Sequence, residues 1–265
     1  MANPCHVRSI SLPSRSHPTT LKIQEELYKL RKWEASSTST LGTIHNGLSG
    51  MEELYKCLDD LLSLQSTQQA ISHHQHEKWV EELLDESVSL LDVCCNTRDV
   101  ISQFKENVGD LQSALRRRKG DLCIESSINN YIRSRKKMNK DAKKLLAAMK
   151  KMDNKAGASP LLDQNHQLST VIRVLRDVNA MSISIFQSLG VVSCEEKHEN
   201  VEELENIDFA LSKISSDRAD LETMQIAHKG LGALEVSIEG LDNGLECMFR
   251  DLIKTRASLL NIISH

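Results

Sequence analysis

The stretch LGALEVSIEGLDNGLECMFRDLIKTRASLLNI, residues 231–262, decides the fold. Leu231, Leu234, Ile238, Leu241, Leu245, Met248, Leu252, Leu259 and Ile262 recur at steps of three and four, with Thr255 filling the gap in the apolar series. That is the seam of an amphipathic helix that must bury one side against other helices. At 1.5 Å per residue the helix would be roughly 48 Å long. A second stripe of small residues runs beside it: Gly230, Ala233, Ser237, Gly240, Gly244 and Cys247. Small side chains in register let a neighbouring backbone approach to the short end of the ~8–10 Å interaxial range. Each helical glycine costs about 1 kcal/mol relative to alanine, so close packing has to offset the three on this face. The stripe is expected to be a groove for the chain's own helices, with a groove for a partner helix as the alternative.

Working outward, the same rhythm marks further helices. Leu21–Ala35 carries Ile23, Leu27 and Leu30 behind Thr19 or Thr20 as N-cap. Leu41–Leu64 carries Ile44, Leu48, Met51, Tyr55, Leu58 and Leu62; Gly42, Gly47 and Gly50 weaken its first turns and move the expected start toward Ser49. Gln65–His76 reads as a polar connection. From Glu77 to about Arg118, Val80, Leu84, Val88, Leu91, Cys95, Ile101, Val108, Leu111 and Leu115 set the pattern, with a bend expected at Gly109. Gly120 and Asp121 punctuate the step to a helix over Leu122–Met152, carrying Ile128, Ile132, Met138, Leu145, Met149 and Met152. Residues 153–160 form a loop, and Leu161–Leu189 forms a helix closed by Gly190. After the polar run Cys194–Asn200, Leu204, Ile207, Leu211, Ile214 and Leu221 begin a pattern whose register slips near Ile226–Gly230, by a kink or a break.

With 3% aromatics and proline nearly confined to the N-terminus, the fold class is all-α: an elongated antiparallel bundle of six or seven helices over residues 21–265, behind a disordered tail at 1–20. No segment approaches the ~18 consecutive apolar residues of a membrane span. The seven cysteines are odd in number and without a Cys-x-x-Cys pair, as expected of reduced thiols in an intracellular protein. The cytoplasm is the first expectation for compartment, with nucleus and plastid as alternatives.

Charge is unevenly distributed. Residues 116–155 hold 14 Lys/Arg against 4 Asp/Glu, a local +10, in a chain whose net charge is −4. The candidate basic surface is Arg116, Arg117, Arg118 and Lys119 with Arg133, Arg135, Lys136, Lys137, Lys140, Lys143 and Lys144. Its plain reading is a solvated helix face; its functional reading is contact with an anionic membrane surface. Nucleic acid is disfavoured because few rings are present to stack bases.

The sharpest short motif lies in the tail. Arg8, Ser9, Ser11 and Pro13 spell R-S-x-S-x-P, which resembles the phosphoserine motif read by 14-3-3 proteins. A phosphate on Ser11 would add nearly two negative charges for an arginine cluster to grip. Other constellations carry less. His73, His74 and His76 are sequence neighbours on a polar connection and do not converge tetrahedrally by themselves. Cys94 and Cys95 stand near Asp92 and Asp99, which oppose thiolate formation. Phosphate-loop, nucleophile-elbow and dinucleotide fingerprints are absent, so no catalytic, cofactor-binding or metal-binding residue is assigned and no cofactor is expected.

Three stretches together resemble a plant family of unknown function associated with the BYPASS-type developmental proteins: HVRSISLPSRSHP at 6–18, LLDVCCNTRDVISQFKENVGDLQSALRRRKGD at 90–121 and LECMFRDLIKTRASLLNIISH at 245–265. The resemblance implies an all-helical plant protein tied to root and shoot development and supplies no catalytic residues. The expected function is therefore that of a non-enzymatic adaptor or regulator acting through protein contacts. The alternative is a peripheral membrane or trafficking factor that uses the basic helix on anionic lipid.

Overall fold

The computed structural model describes residues 17–36, 40–117, 121–156, 166–194, 202–215 and 221–264. Every secondary-structure element among the described residues is an α-helix: α1 Pro18–Ser36, α2 Leu41–Ser63, α3 Gln65–Ser72, α4 Lys78–Arg117, α5 Asp121–Ala156, α6 His166–Cys194, α7 Glu202–Ser215 and α8 Leu221–Ser264. The all-α bundle is as expected, but eight helices exceed the six or seven read from periodicity.

The nine large apolar residues of the 231–262 seam are all buried. Their helix is longer than expected: α8 is continuous for 44 residues, roughly 66 Å. The register slip near Ile226–Gly230 is therefore not a break, because α7 has already ended at Ser215. A Cβ built on Gly230 would lie 2.7 Å from Ile207 Cγ1. These two residues are about equally far along the chain from the 216–220 connection, as an antiparallel α7–α8 hairpin requires.

Helices α4 and α8 form the spine. Arg256 Nη1 donates to the Leu84 carbonyl and to Ser87 Oγ, both at 2.6 Å. The Cys94 thiol donates to the Leu245 carbonyl at 3.7 Å. Further along, Arg98 pairs with Glu246, and Lys105 pairs with Glu239 and with Asp242, the latter at 3.1 Å. Arg116 Nε donates to His228 Nε2 at 3.2 Å. Numbers rise on α4 as they fall on α8, so the two run antiparallel. Helix α2 lies parallel to α8: Gly240 faces His45, Gly244 faces Leu48, and Lys254 pairs with Asp59 at 2.8 Å. Helix α6 closes the other side of α2, antiparallel to it, where the Tyr55 hydroxyl meets Ser182 Oγ at 2.9 Å in the core. Ser182 Oγ in turn bonds the Val178 carbonyl, which can only accept; hence Tyr55 donates and Ser182 accepts.

Several expectations need correction, each for a physical reason. Helix α1 starts at Pro18, not Leu21, because proline is preorganised for the first helical position and His17 caps it, Nδ1 accepting from the Thr19 amide at 3.3 Å. Helix α2 starts at Leu41, not near Ser49. Thr40 and Thr43 form a capping box, and the glycines are sites of close packing: a Cβ on Gly47 would lie 2.7 Å from Trp33 Cζ2 and 2.8 Å from Ile185 Cδ1. The polar connection after α2 contains helix α3, which buries Thr67, Ala70 and Ile71. Gly190 does not end α6; it is buried within it, against Leu146. Helix α4 is continuous through Gly109.

In α4 the inward stripe is one residue off the apolar reading. Val80, Leu83, Ser87, Leu90, Cys94, Thr97 and Ile101 are buried, while Val88 and Cys95 are exposed. Ser87 and Thr97 satisfy their hydroxyls on the Leu84 and Val93 carbonyls, which lets polar residues hold core positions. In α5, likewise, Tyr131 is buried and Ile132 is 38% exposed.

Two substitutions separate glycines that pack from one that does not. Gly109 has no atom within 4 Å of an added Cβ, so Gly109→Ala should raise unfolding free energy by about 0.5–1 kcal/mol. Gly47→Ala should lower it by about 1–3 kcal/mol through overpacking. Urea titration followed by circular dichroism reads both, and a stabilising Gly47→Ala would contradict the packing. A second test concerns Asp251, on α8. Partial burial, with Glu52 adding to it, pushes its carboxyl above the ordinary value. The folded chain thus holds that proton to higher pH than the unfolded chain, and ionisation opposes folding as pH rises through the raised value. Asp251→Asn should be more stable than the parent at neutral pH. The gain should fade toward about pH 4 and below, where the aspartate is protonated in both states. No gain at neutral pH would contradict the assignment.

Candidate interaction surface

The concentrated feature of the surface is the outer side of α5. Its inner side is fixed by burial of Ile128, Tyr131, Met138, Ala142 and Met149, with Tyr131 packed on Phe104 of α4 at 5.9 Å between ring centroids. Residues 3.6 per turn away from that stripe must face outward. They are Arg133, Lys136, Lys137, Lys140, Lys143, Lys144, Lys150 and Lys151, all exposed. From 133 to 151 the face extends roughly 27 Å. Ala147 and Ala148 are the exposed residues of the turn between the last two lysine pairs.

Two of these cations have partners within the chain. Lys137 Nζ donates to Gln103 Oε1 at 2.6 Å, and Lys144 pairs with Asp141 at 2.8 Å. The Lys144 hydrogen bond holds the Asp141 carboxyl below its ordinary value, and the charges of Lys144, Lys137 and Lys140 act in the same direction. Arg133, Lys136, Lys140, Lys143, Lys150 and Lys151 have no ion-pair partner among the described residues. Several exposed lysines elsewhere are paired: Lys29 with Glu25 and Glu26, Lys56 with Glu52 and Glu53, Lys78 with Glu82. Like charges three and four apart on α5 repel by about 0.2–0.5 kcal/mol per pair, a cost the fold leaves in place.

The sequence-derived basic surface is thus partly assembled. Arg133, Lys136, Lys137, Lys140, Lys143 and Lys144 share the face. Arg135 does not: it turns toward α7 and meets Asp208 at 3.8 Å. Arg116 is drawn to His228 and to Gln112, and Arg117 Nε folds back on the Ser113 carbonyl at 3.0 Å. Arg118 and Lys119 lie outside the described residues, as do Arg8, Ser9, Ser11 and Pro13. Sequence reasoning missed Lys150 and Lys151, although each follows Lys143 and Lys144 by seven residues, the spacing that keeps a helical face.

The small-residue stripe is filled from within. Gly230 meets Ile207, Gly240 meets His45 and Gly244 meets Leu48; Ser237 and Cys247 are half-buried and Ala233 is exposed. Cys94 and His74 are engaged within the fold. Burial pushes the Cys94 thiol up to about 12, and His74 Nδ1 donates to the Ala70 carbonyl at 2.9 Å. A cleft of about 380 Å³ between α2, α3 and the end of α8 has His73 as its single titratable lining residue. No group of three or more His, Cys, Asp or Glu placed to hold a metal ion occurs among the described residues. None of the described helices is long and apolar enough to cross a membrane.

Comparison with curated proteins gives no match, and comparison with solved structures gives none. A family model described as Protein BPS1 matches residues 47–262, from within α2 almost to the end of α8. Helices α4 and α5 fall wholly inside that match, with most of α2 and α8, and the chain belongs to the BPS1 family, a BYPASS-type family of plant proteins related to development.

Proposed function

We propose that this protein is a non-enzymatic adaptor or regulator that serves root and shoot development through contacts with protein partners, inside the cell and chiefly in the cytoplasm. The observation that carries the reading is the division of labour among its polar groups. Two buried side chains able to do chemistry are held in packing roles: the Cys94 thiol is protonated on a backbone carbonyl, and Tyr55 is pinned to Ser182 in the core. The unpaired charge is on the outside, where it can meet another molecule. Family membership supports the developmental part of the reading. The tail supplies the contact of most specific chemistry, with phosphorylated Ser11 presented between Arg8 and Pro13 to a 14-3-3 protein.

Titration of the full-length chain, with and without phosphate on Ser11, into a purified 14-3-3 protein tests that contact. Phosphorylation should tighten binding by at least about tenfold, equivalent to about 1.4 kcal/mol, and Ser11→Ala should bind like the unphosphorylated chain. Equal affinity of the two forms would remove the tail from the proposal.

A further inference from the structure

We propose that the outer face of α5 is a docking surface for an anionic phospholipid bilayer, on which the helix lies along the membrane plane. This goes beyond the adaptor reading: the 14-3-3 contact needs the tail and the bilayer contact needs α5, so either can fail while the other stands.

Three observations favour a bilayer. The first is positive charge that pairing among the described residues leaves largely uncompensated, since only Lys137 and Lys144 have a partner there. Eight exposed cations line one side of the helix from Arg133 to Lys151, and the carboxylates bonded beside them are already engaged, Asp141 by Lys144 and Asp208 by Arg135. The second is the kind of cation. Seven of the eight are lysines, strongly hydrated point charges on flexible stems, which suit a diffuse array of headgroups; a fixed constellation of phosphates or carboxylates is better gripped by the planar fork of arginine. The third is shape. The face is one side of a convex rod some 27 Å long, held in orientation by its buried side, and Ile132, Ala147 and Ala148 are its exposed apolar members. Short residues between the lysines let the ammonium groups approach a flat surface together. A single-stranded nucleic acid would need stacking rings, and the face contributes none.

The uneven charge of the chain reinforces this geometry. The +10 of residues 116–155 stands against −14 over the remainder. An anionic surface therefore attracts the α5 side and repels most of the rest, which sets one docking orientation.

The experiment is co-sedimentation of the full-length protein with vesicles of phosphatidylcholine, with and without phosphatidylserine, at low and high salt. Binding should require phosphatidylserine and should weaken at least about tenfold on raising salt, as screening shortens the Debye length from ~10 Å toward 3 Å. A variant with Lys136, Lys140, Lys143 and Lys150 all changed to Gln should lose at least about tenfold in vesicle affinity while keeping the parent's circular-dichroism spectrum. A control with Lys22, Lys29, Lys56 and Lys254 changed to Gln carries the same net charge and should bind like the parent. The proposal is overturned by equal binding to both vesicle types, by an equal loss in the control, or by tighter binding to a nucleic-acid duplex than to phosphatidylserine vesicles at the same salt.

Discussion

Burial of the α8 seam under α4, α2 and α7 is the constraint on which the other contacts depend. An amphipathic rod of this length cannot leave nine large apolar side chains in water; at about 25 cal/mol per Å² of apolar surface, its covering dominates any polar contact along it. Helix α4 covers it antiparallel and α2 parallel, and once those three are fixed, α5 and α6 have defined grooves to fill. The polar contacts between α4 and α8 then act as a register lock. Arg98 lies over the Phe249 ring at 4.8 Å while pairing with Glu246, and Lys105 reaches two carboxylates. Such half-exposed pairs contribute little each, but a shift of one turn would separate all of them together.

Glycine is where local and global energies disagree in this chain. Gly47, Gly50, Gly230, Gly240 and Gly244 each weaken their own helix by about 1 kcal/mol, yet an added Cβ on any of them would lie within 3.0 Å of a neighbouring side chain. They let Trp33, Leu30, Ile207, His45 and Leu48 seat against helix backbone. The penalty is local and visible in sequence; the compensation comes from residues up to some 200 positions away and is not.

That asymmetry explains how far the sequence could be read. The α8 seam, the α6 stripe of Leu168, Val171, Leu175, Val178, Ile185 and Phe186, and the α2 stripe from Ile44 to Leu62 were legible because each is long and strongly periodic, and all are buried. The α2 start and the α6 end differ from the expectation because the glycines there mark close packing and not the end of a helix. The first half of α4 was misread because two inward positions, Ser87 and Thr97, are polar and satisfy themselves within the helix. Helix α3 has a single large apolar residue, Ile71, and so no pattern to find. For the surface, charge density along the chain located α5, but only the buried stripe could show that Arg135 leaves the basic face and that Lys150 and Lys151 join it.

The described residues build a long-helix core and a surface with one strongly basic face. All of this rests on α8 being sheathed by α4 along its length, with α7 against its first half and α2 against its second. Native-state amide hydrogen exchange tests that most directly, because a helix buried on several sides opens only with the whole domain. Amides of Leu231–Ile262 and of Ile101–Leu115 should exchange together, through global unfolding, with the same dependence on denaturant. Exchange of the α8 amides near the unfolded rate, or at a free energy well below that of α4, would contradict the structure described.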